Sequence, residues 1–174
     1  MPKIIKNKTA VIIVDMQEFF LKNFAPTVRN ELVNNQGKFI ELCVKNKLPF
    51  IVLEYKCKGI DKVETIPRLL KKIKNVYKEI IIKENNSGFT KTGLDKTLKE
   101  LGIEEIILLG INAHACIQDT AISALKRGYR VATSKGLISN SYRKDMQLSR
   151  RNEAWFKKNT TFFEDPEELS KYIK

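Results

Sequence analysis

The stretch Ile106–Gly128 constrains the chain more than any other. Ile106-Ile107-Leu108-Leu109 is an apolar run that reads as a buried strand, and Gly110 ends it. Ile111-Asn112-Ala113-His114-Ala115 makes a tight turn. From Cys116 the period changes: Ile117, Ala121, Ala124 and Leu125 fall on one helical face. Asp119 suits the first turn and Gly128 a stop. Cys116 is therefore expected where a strand ends and a helix begins. Free N–H groups and the positive end of the helix dipole favour an anion there and lower a thiol's pKa toward the thiolate. The alternative is a buried, inert cysteine.

The same alternation runs through the rest of the chain. Strands are expected at Lys8–Asp15, Pro49–Tyr55, Tyr77–Lys83, Ile103–Leu109, Tyr129–Ser134 and Thr160–Phe163. Helical patterns fall at Asn30–Lys47, Thr92–Leu101, Cys116–Arg127 and Ser141–Lys158, with a short helix or turn at Ile66–Lys74 and a last helix from Pro166 to Ile173. Cys57–Lys62 reads as a polar loop. Alternating strands and helices imply a parallel sheet covered by helices on both faces. The 174 residues form one domain, 1–174, without internal repeat or linker.

Composition narrows the class. With 43% hydrophobic and 30% charged residues the chain is globular rather than disordered. No apolar run reaches membrane-spanning length and no secretory leader pattern appears, so a cytoplasmic protein is expected. Cys43, Cys57 and Cys116 are odd in number and unrelated in spacing, which argues against a disulfide framework. One histidine, His114, and no CxxC argue against a transition-metal site. The net charge of +12 fits either a polyanion partner or a solvated, Lys-rich surface. The lysines are spread along the chain beside glutamates and no nucleic-acid motif is present, so the surface reading is preferred.

Sites in open parallel sheets form outside the carboxyl ends of the strands. Three expected strands lead into a chemically useful residue: Asp15, Lys83 and Cys116. Singly, Asp15 also fits a helix N-cap and Lys83 a solvated strand end. Together they suggest a thiolate nucleophile, a carboxylate that takes and returns its proton, and an ammonium that orients both. The turn before Cys116 offers the backbone N–H groups of Asn112 and Cys116 to a developing oxyanion.

At this point VIIVDMQ (11–17), IIKENNSGFTKTGL (81–94) and LLGINAHACIQDTAISALKRGY (108–129) together resemble the isochorismatase-like cysteine hydrolases. That superfamily includes nicotinamidases, N-carbamoylsarcosine amidase and other small amidases. The resemblance implies a Rossmann-like α/β three-layer sandwich of about six parallel strands. It implies Asp15 as general base, Lys83 as its cationic partner, Cys116 as nucleophile, and a cis peptide at Ile111–Asn112. It also implies a homo-oligomer, a dimer or tetramer.

Three departures from the family pattern stand out. Where nicotinamidases carry a histidine metal set after the second strand, this chain reads Glu54-Tyr55-Lys56-Cys57-Lys58, so neither metal nor cofactor is expected. The acid many members carry after the fifth strand is replaced by Thr133-Ser134-Lys135-Gly136. The loop after strand two is short.

Gln17, Phe19, Phe20, Phe89 and His114 are candidates for the substrate pocket, the aromatic ones equally for ordinary core. His114 fits the pocket or the packing of its turn; a role as base is disfavoured because Asp15 matches it. The expected function is a cysteine-dependent hydrolase of a small amide or ureide C–N bond with a small-molecule substrate. The alternatives are a vinyl-ether hydrolase, or a non-catalytic protein on the same fold that binds a metabolite or nucleic acid.

Overall fold

A computed structural model describes residues 8–59, 63–141 and 146–173. In chain order the elements are β1 (Thr9–Val14), α1 (Glu18–Leu21), α2 (Pro26–Lys45), β2 (Phe50–Tyr55), α3 (Pro67–Leu70) running into a 3-10 turn at Lys71–Ile73, and β3 (Lys78–Lys83). Then come α4 (Leu94–Glu100), β4 (Glu105–Ile111), a π turn (Ala113–Ile117) and α5 (Gln118–Lys126). The chain closes with β5 (Arg130–Ser134), β6 (Ile138–Ser139), α6 (Met146–Asn159), β7 (Thr161–Phe163) and α7 (Pro166–Tyr172).

The strands form one sheet in the order β3-β2-β1-β4-β5-β7, with every pair parallel and β6 also on β4. Alternate residues of the central strands feed two cores. Val11, Ile13, Ile107 and Leu109 pack with α2, α3 and α7 residues such as Phe39, Leu69 and Leu169. Ala10, Ile12, Ile106 and Leu108 pack on the other face with Leu98, Ala121 and Phe156. Both faces are covered, so β1 and β4 must be apolar throughout rather than alternating. Each fully buried Ile or Leu contributes roughly 1.5–3 kcal/mol.

Seven strands replace the six expected. β5 pairs only with the first half of β4, through Ile107, and leaves Gly110 and Ile111 with a free edge. Gly136, at φ 87°, turns the chain back so that Ile138 and Ser139 complete that edge. Two residues carry no periodicity to read. The second helix starts at Pro26 rather than Asn30, because proline is preorganised for the first helical position. The last helix is capped by Asp165, which accepts from the N–H groups of Glu167 and Glu168. Parts of the expected Cys57–Lys62 loop and Ser141–Lys158 helix, residues 60–62 and 142–145, lie outside the described residues, as does the expected packing of Met146 and Leu148. Among the described residues no helix is long and apolar enough to cross a membrane.

One glycine fixes how the two central strands meet below the site. Gly110 has φ 137°, and a Cβ there would lie 2.1 Å from the carbonyl oxygen of Val14. Neither backbone can yield without breaking the β1–β4 ladder. Gly110→Ala is predicted to lower unfolding free energy by at least about 3 kcal/mol in urea titration, since strain and overlap both act. A loss below about 1 kcal/mol would show that the strands tolerate separation there.

Candidate active site

The strand order sets Lys83, Tyr55, Asp15 and the turn after β4 side by side along the carboxyl edge of the sheet. Asp15 directly follows β1 and has φ 53°, a left-handed conformation that aspartate tolerates better than most residues. Its N–H donates to Leu53 O at 3.0 Å and its carbonyl accepts from the Gln17 N–H at 2.7 Å. Asp15 does not cap α1, whose capping position is Gln17. Instead its Oδ2 accepts from Lys83 Nζ at 2.9 Å. Both residues are buried, at 2% and 1% exposure. The Lys83 ammonium spends its remaining donors on the carbonyls of Asn85 (3.1 Å) and Asn86 (3.2 Å) and lies over the Tyr55 ring. Asp15 Oδ1 is buried without a hydrogen-bond partner.

Cys116 lies inside the π turn, before α5 begins. The Asn112 carbonyl accepts from the N–H groups of both Ala115 and Ile117 at 3.1 Å, which curls the turn back on itself, and the Ile111–Asn112 peptide is cis. The turn is held from outside as well. Asn152 Nδ2 donates to Ala113 O and Gln118 Oε1, and Asn112 Oδ1 accepts from the Ser141 N–H. The Cys116 thiol points an S–H toward Asn86 Oδ1 at 3.9 Å. The loop after β3 that carries Asn86 is tied to α5 by Ser87–Ser123 and by the Gly88 N–H on Thr120 Oγ1.

The electrostatics differ from the expectation for a helix start. Burial pushes the Cys116 thiol up to about 12; the Asp15 charge adds to this and the Lys83 charge opposes it. A nearly enclosed sulfur beside a carboxylate loses more from desolvation than a helix dipole returns. Burial also raises the Asp15 carboxyl, opposed first by the Lys83 charge and then by the Cys116 thiol and the Lys83 hydrogen bond. A raised carboxylate is a stronger base, and its vacant Oδ1 is an acceptor for the thiol proton.

Asp15, Phe20, Tyr55, Asn86, Asn112 and Cys116 line one cavity of about 250 Å³. Of the aromatic candidates Phe20 reaches it, stacked edge-on to Tyr55. Phe19 is partly exposed, with Lys22 over its ring. Phe89 is buried in the core against Tyr129. Gln17 clasps the Tyr55 backbone through both amide atoms, at 2.9 and 2.7 Å, so it fixes β2 against β1 instead of lining the cavity.

His114 is bound away from the cavity by Asn140, whose Oδ1 accepts from the His114 N–H at 2.9 Å and meets Nδ1 at 2.6 Å. Because that oxygen already accepts from the backbone, Nδ1 is the protonated nitrogen. Tyr55 and Asn86 were not among the sequence candidates. An aromatic ending a strand between two candidate residues was the available signal for Tyr55; Asn86 had none beyond its turn. Lys135, which stands where an acid was expected, pairs with Glu153 at 3.5 Å. Among the described residues no group of three or more His, Cys, Asp or Glu side chains is arranged to hold a metal.

Fold and site together define a three-layer α/β protein with a thiol, a carboxylate and an ammonium gathered at one strand edge. Residues 9–148 match the isochorismatase domain model, and the chain belongs to the isochorismatase family of hydrolases. It is 25% identical over 140 residues to nicotinamidase 3 of Arabidopsis thaliana, across 70% of this chain and 68% of that protein. Among solved structures it is similar to N-carbamoylsarcosine amidase from Thermoplasma acidophilum, at 25% identity and TM-score 0.74 over 89% of this chain and 95% of that one. It also shares its fold with the MAR1 ribonuclease from Caenorhabditis elegans, at 22% identity and TM-score 0.81 over 99% of this chain and 84% of that one.

The coupling between Asp15 and Cys116 has a testable sign. Asp15→Asn removes a charge that raises the thiol pKa and leaves the Lys83 charge that lowers it. The Cys116 pKa is predicted to fall, read as a downward shift in the midpoint of its alkylation-against-pH profile at the Cys116 peptide by mass spectrometry. An unshifted or raised midpoint would show that the carboxylate charge does not act on the sulfur.

Proposed function

We propose that the protein hydrolyses the C–N bond of a small amide or ureide through Cys116, Asp15 and Lys83. The observation that carries this reading is the thiol and the unpartnered Asp15 oxygen lining one cavity, with Lys83 holding the carboxylate's other oxygen. The Cys116 proton moves to Asp15 as sulfur bonds to the carbonyl carbon. The tetrahedral oxyanion is met by the backbone N–H groups of Asn112 and Cys116. The C–N bond then breaks, and the proton held on Asp15 passes to the leaving nitrogen. Water, losing its proton to Asp15, adds to the thioester; the C–S bond breaks and the proton returns to sulfur. Lys83 keeps Asp15 oriented and tempers the charge that builds beside it. A cavity of about 250 Å³ suits a small acyl group.

Turnover of a panel of small amides and ureides tests the proposal. With a responsive substrate, Cys116→Ala is predicted to lower kcat by about 10⁴-fold or more, as for loss of a nucleophile. A quenched reaction should carry the acyl mass on the Cys116 peptide. Turnover that survives Cys116→Ala with no adduct would show that Cys116 is not the nucleophile.

A further inference from the structure

The cavity of Cys116 and Asp15 opens outward. It shares Tyr55 and Asn86 with a wider hollow of about 450 Å³. One wall of that hollow is α5, through Asp119 and Ser123, which are four residues apart and so share a helical side. The other wall is the loop after β3, with Glu84 and Ser87, joined to the first by the Ser87–Ser123 hydrogen bond.

The chain carries a net charge of +12, yet among the described residues no Lys, Arg or His lines either hollow. Lys83 has its donors committed to Asp15, Asn85 and Asn86. Arg127, one turn beyond Ser123 at the end of α5, donates to the Ser123 carbonyl at 2.9 Å and lies over the Phe89 ring, 4.0 Å from Asp95. Among the described residues neither Glu84 nor Asp119 forms an ion pair. Deeper in, a third carboxylate, Asp15, has its Oδ1 without a partner. A substrate carboxylate or phosphate would meet, among the described residues, no lining cation and two carboxylates without ion-pair partners. A cation would find both.

We propose that the substrate is an amide with a cationic tail, an ammonium or guanidinium, lying in the outer hollow against Asp119 and Glu84. This rests on the amide-hydrolase reading of the inner cavity and names the substrate class that cavity serves. It also makes the basic surface irrelevant to substrate choice, since the charge lies elsewhere.

Two experiments separate this inference from the reading beneath it. In the first, methanethiosulfonates of matched size, one bearing an ammonium and one a sulfonate, modify the protein, and rates at Cys116 are read peptide by peptide. Relative to 2-mercaptoethanol, Cys116 is predicted to prefer the cationic reagent by about five- to tenfold, the scale of one or two screened carboxylates. Cys57, exposed and flanked by Lys56 and Lys58, should show the opposite preference. The Cys116 preference should collapse in Glu84→Gln/Asp119→Asn and shrink in high salt. An equal or reversed ratio at Cys116 overturns the proposal.

In the second experiment, primary amides with ammonium, neutral and carboxylate tails are compared by kcat/KM. The cationic amide is predicted to lead and the anionic one to trail by about tenfold or more. Hydrolysis without that order overturns the inference and leaves the hydrolase reading intact. No hydrolysis of any amide, with the reagent preference standing, removes the hydrolase reading and keeps the charge selectivity.

Discussion

The buried pair of Lys83 and Asp15 is the interaction on which the rest of the molecule depends. Taking two charges out of water costs several kcal/mol per ion, and their attraction returns this only with good geometry and full hydrogen bonding. Lys83 has that geometry: three donors face three oxygens. Asp15 does not, because one oxygen is left bare. A pair of this kind adds little to stability, and its cost makes most sense as chemistry. The surrounding structure supplies the support. Parallel β3, β2 and β1 put the two residues at strand ends separated by β2, Gln17 clamps β2 to β1, and the carbonyls of the loop after β3 hold the ammonium.

Burial acts on all parts of the site at once. It raises the thiol and the carboxyl together, so the resting protein keeps a protonated sulfur beside a strengthened base. In the proposed mechanism the nucleophile forms only as the proton is passed across, and a thiol held at about 12 is poorly reactive toward adventitious electrophiles and oxidants. The cavity also carries the rings of Phe20 and Tyr55 among its lining residues.

The layout was largely legible because each central strand is buried on both faces and therefore reads as an unbroken apolar run ending in one polar residue. That is why β1 with Asp15 and β4 with the turn to Cys116 stood out. What escaped was whatever depends on long-range geometry. β6 is two residues completing an edge left by β5. The thiol was expected at the favourable end of a helix, but the π turn encloses it first. Gln17 and Phe89 have the composition of pocket residues, yet tertiary contacts spend them on a clasp and on the core. Asn86 enters only because its loop folds back over the sulfur, which no local pattern announces.

The pH dependence of kcat/KM for a hydrolysed amide tests the central claim, that Asp15 takes the proton of a neutral thiol, most directly. The profile reports the free enzyme's essential groups. With Asp15 raised above its ordinary value of 3.8 and the thiol protonated through the neutral range, activity is predicted to rise with pH as one carboxyl titrates above that value, then to stay level through the titration of an ordinary thiol near 8.5. Activity that instead climbs in step with a group near 8.5 would mean that the thiolate forms by itself, and the account would be wrong.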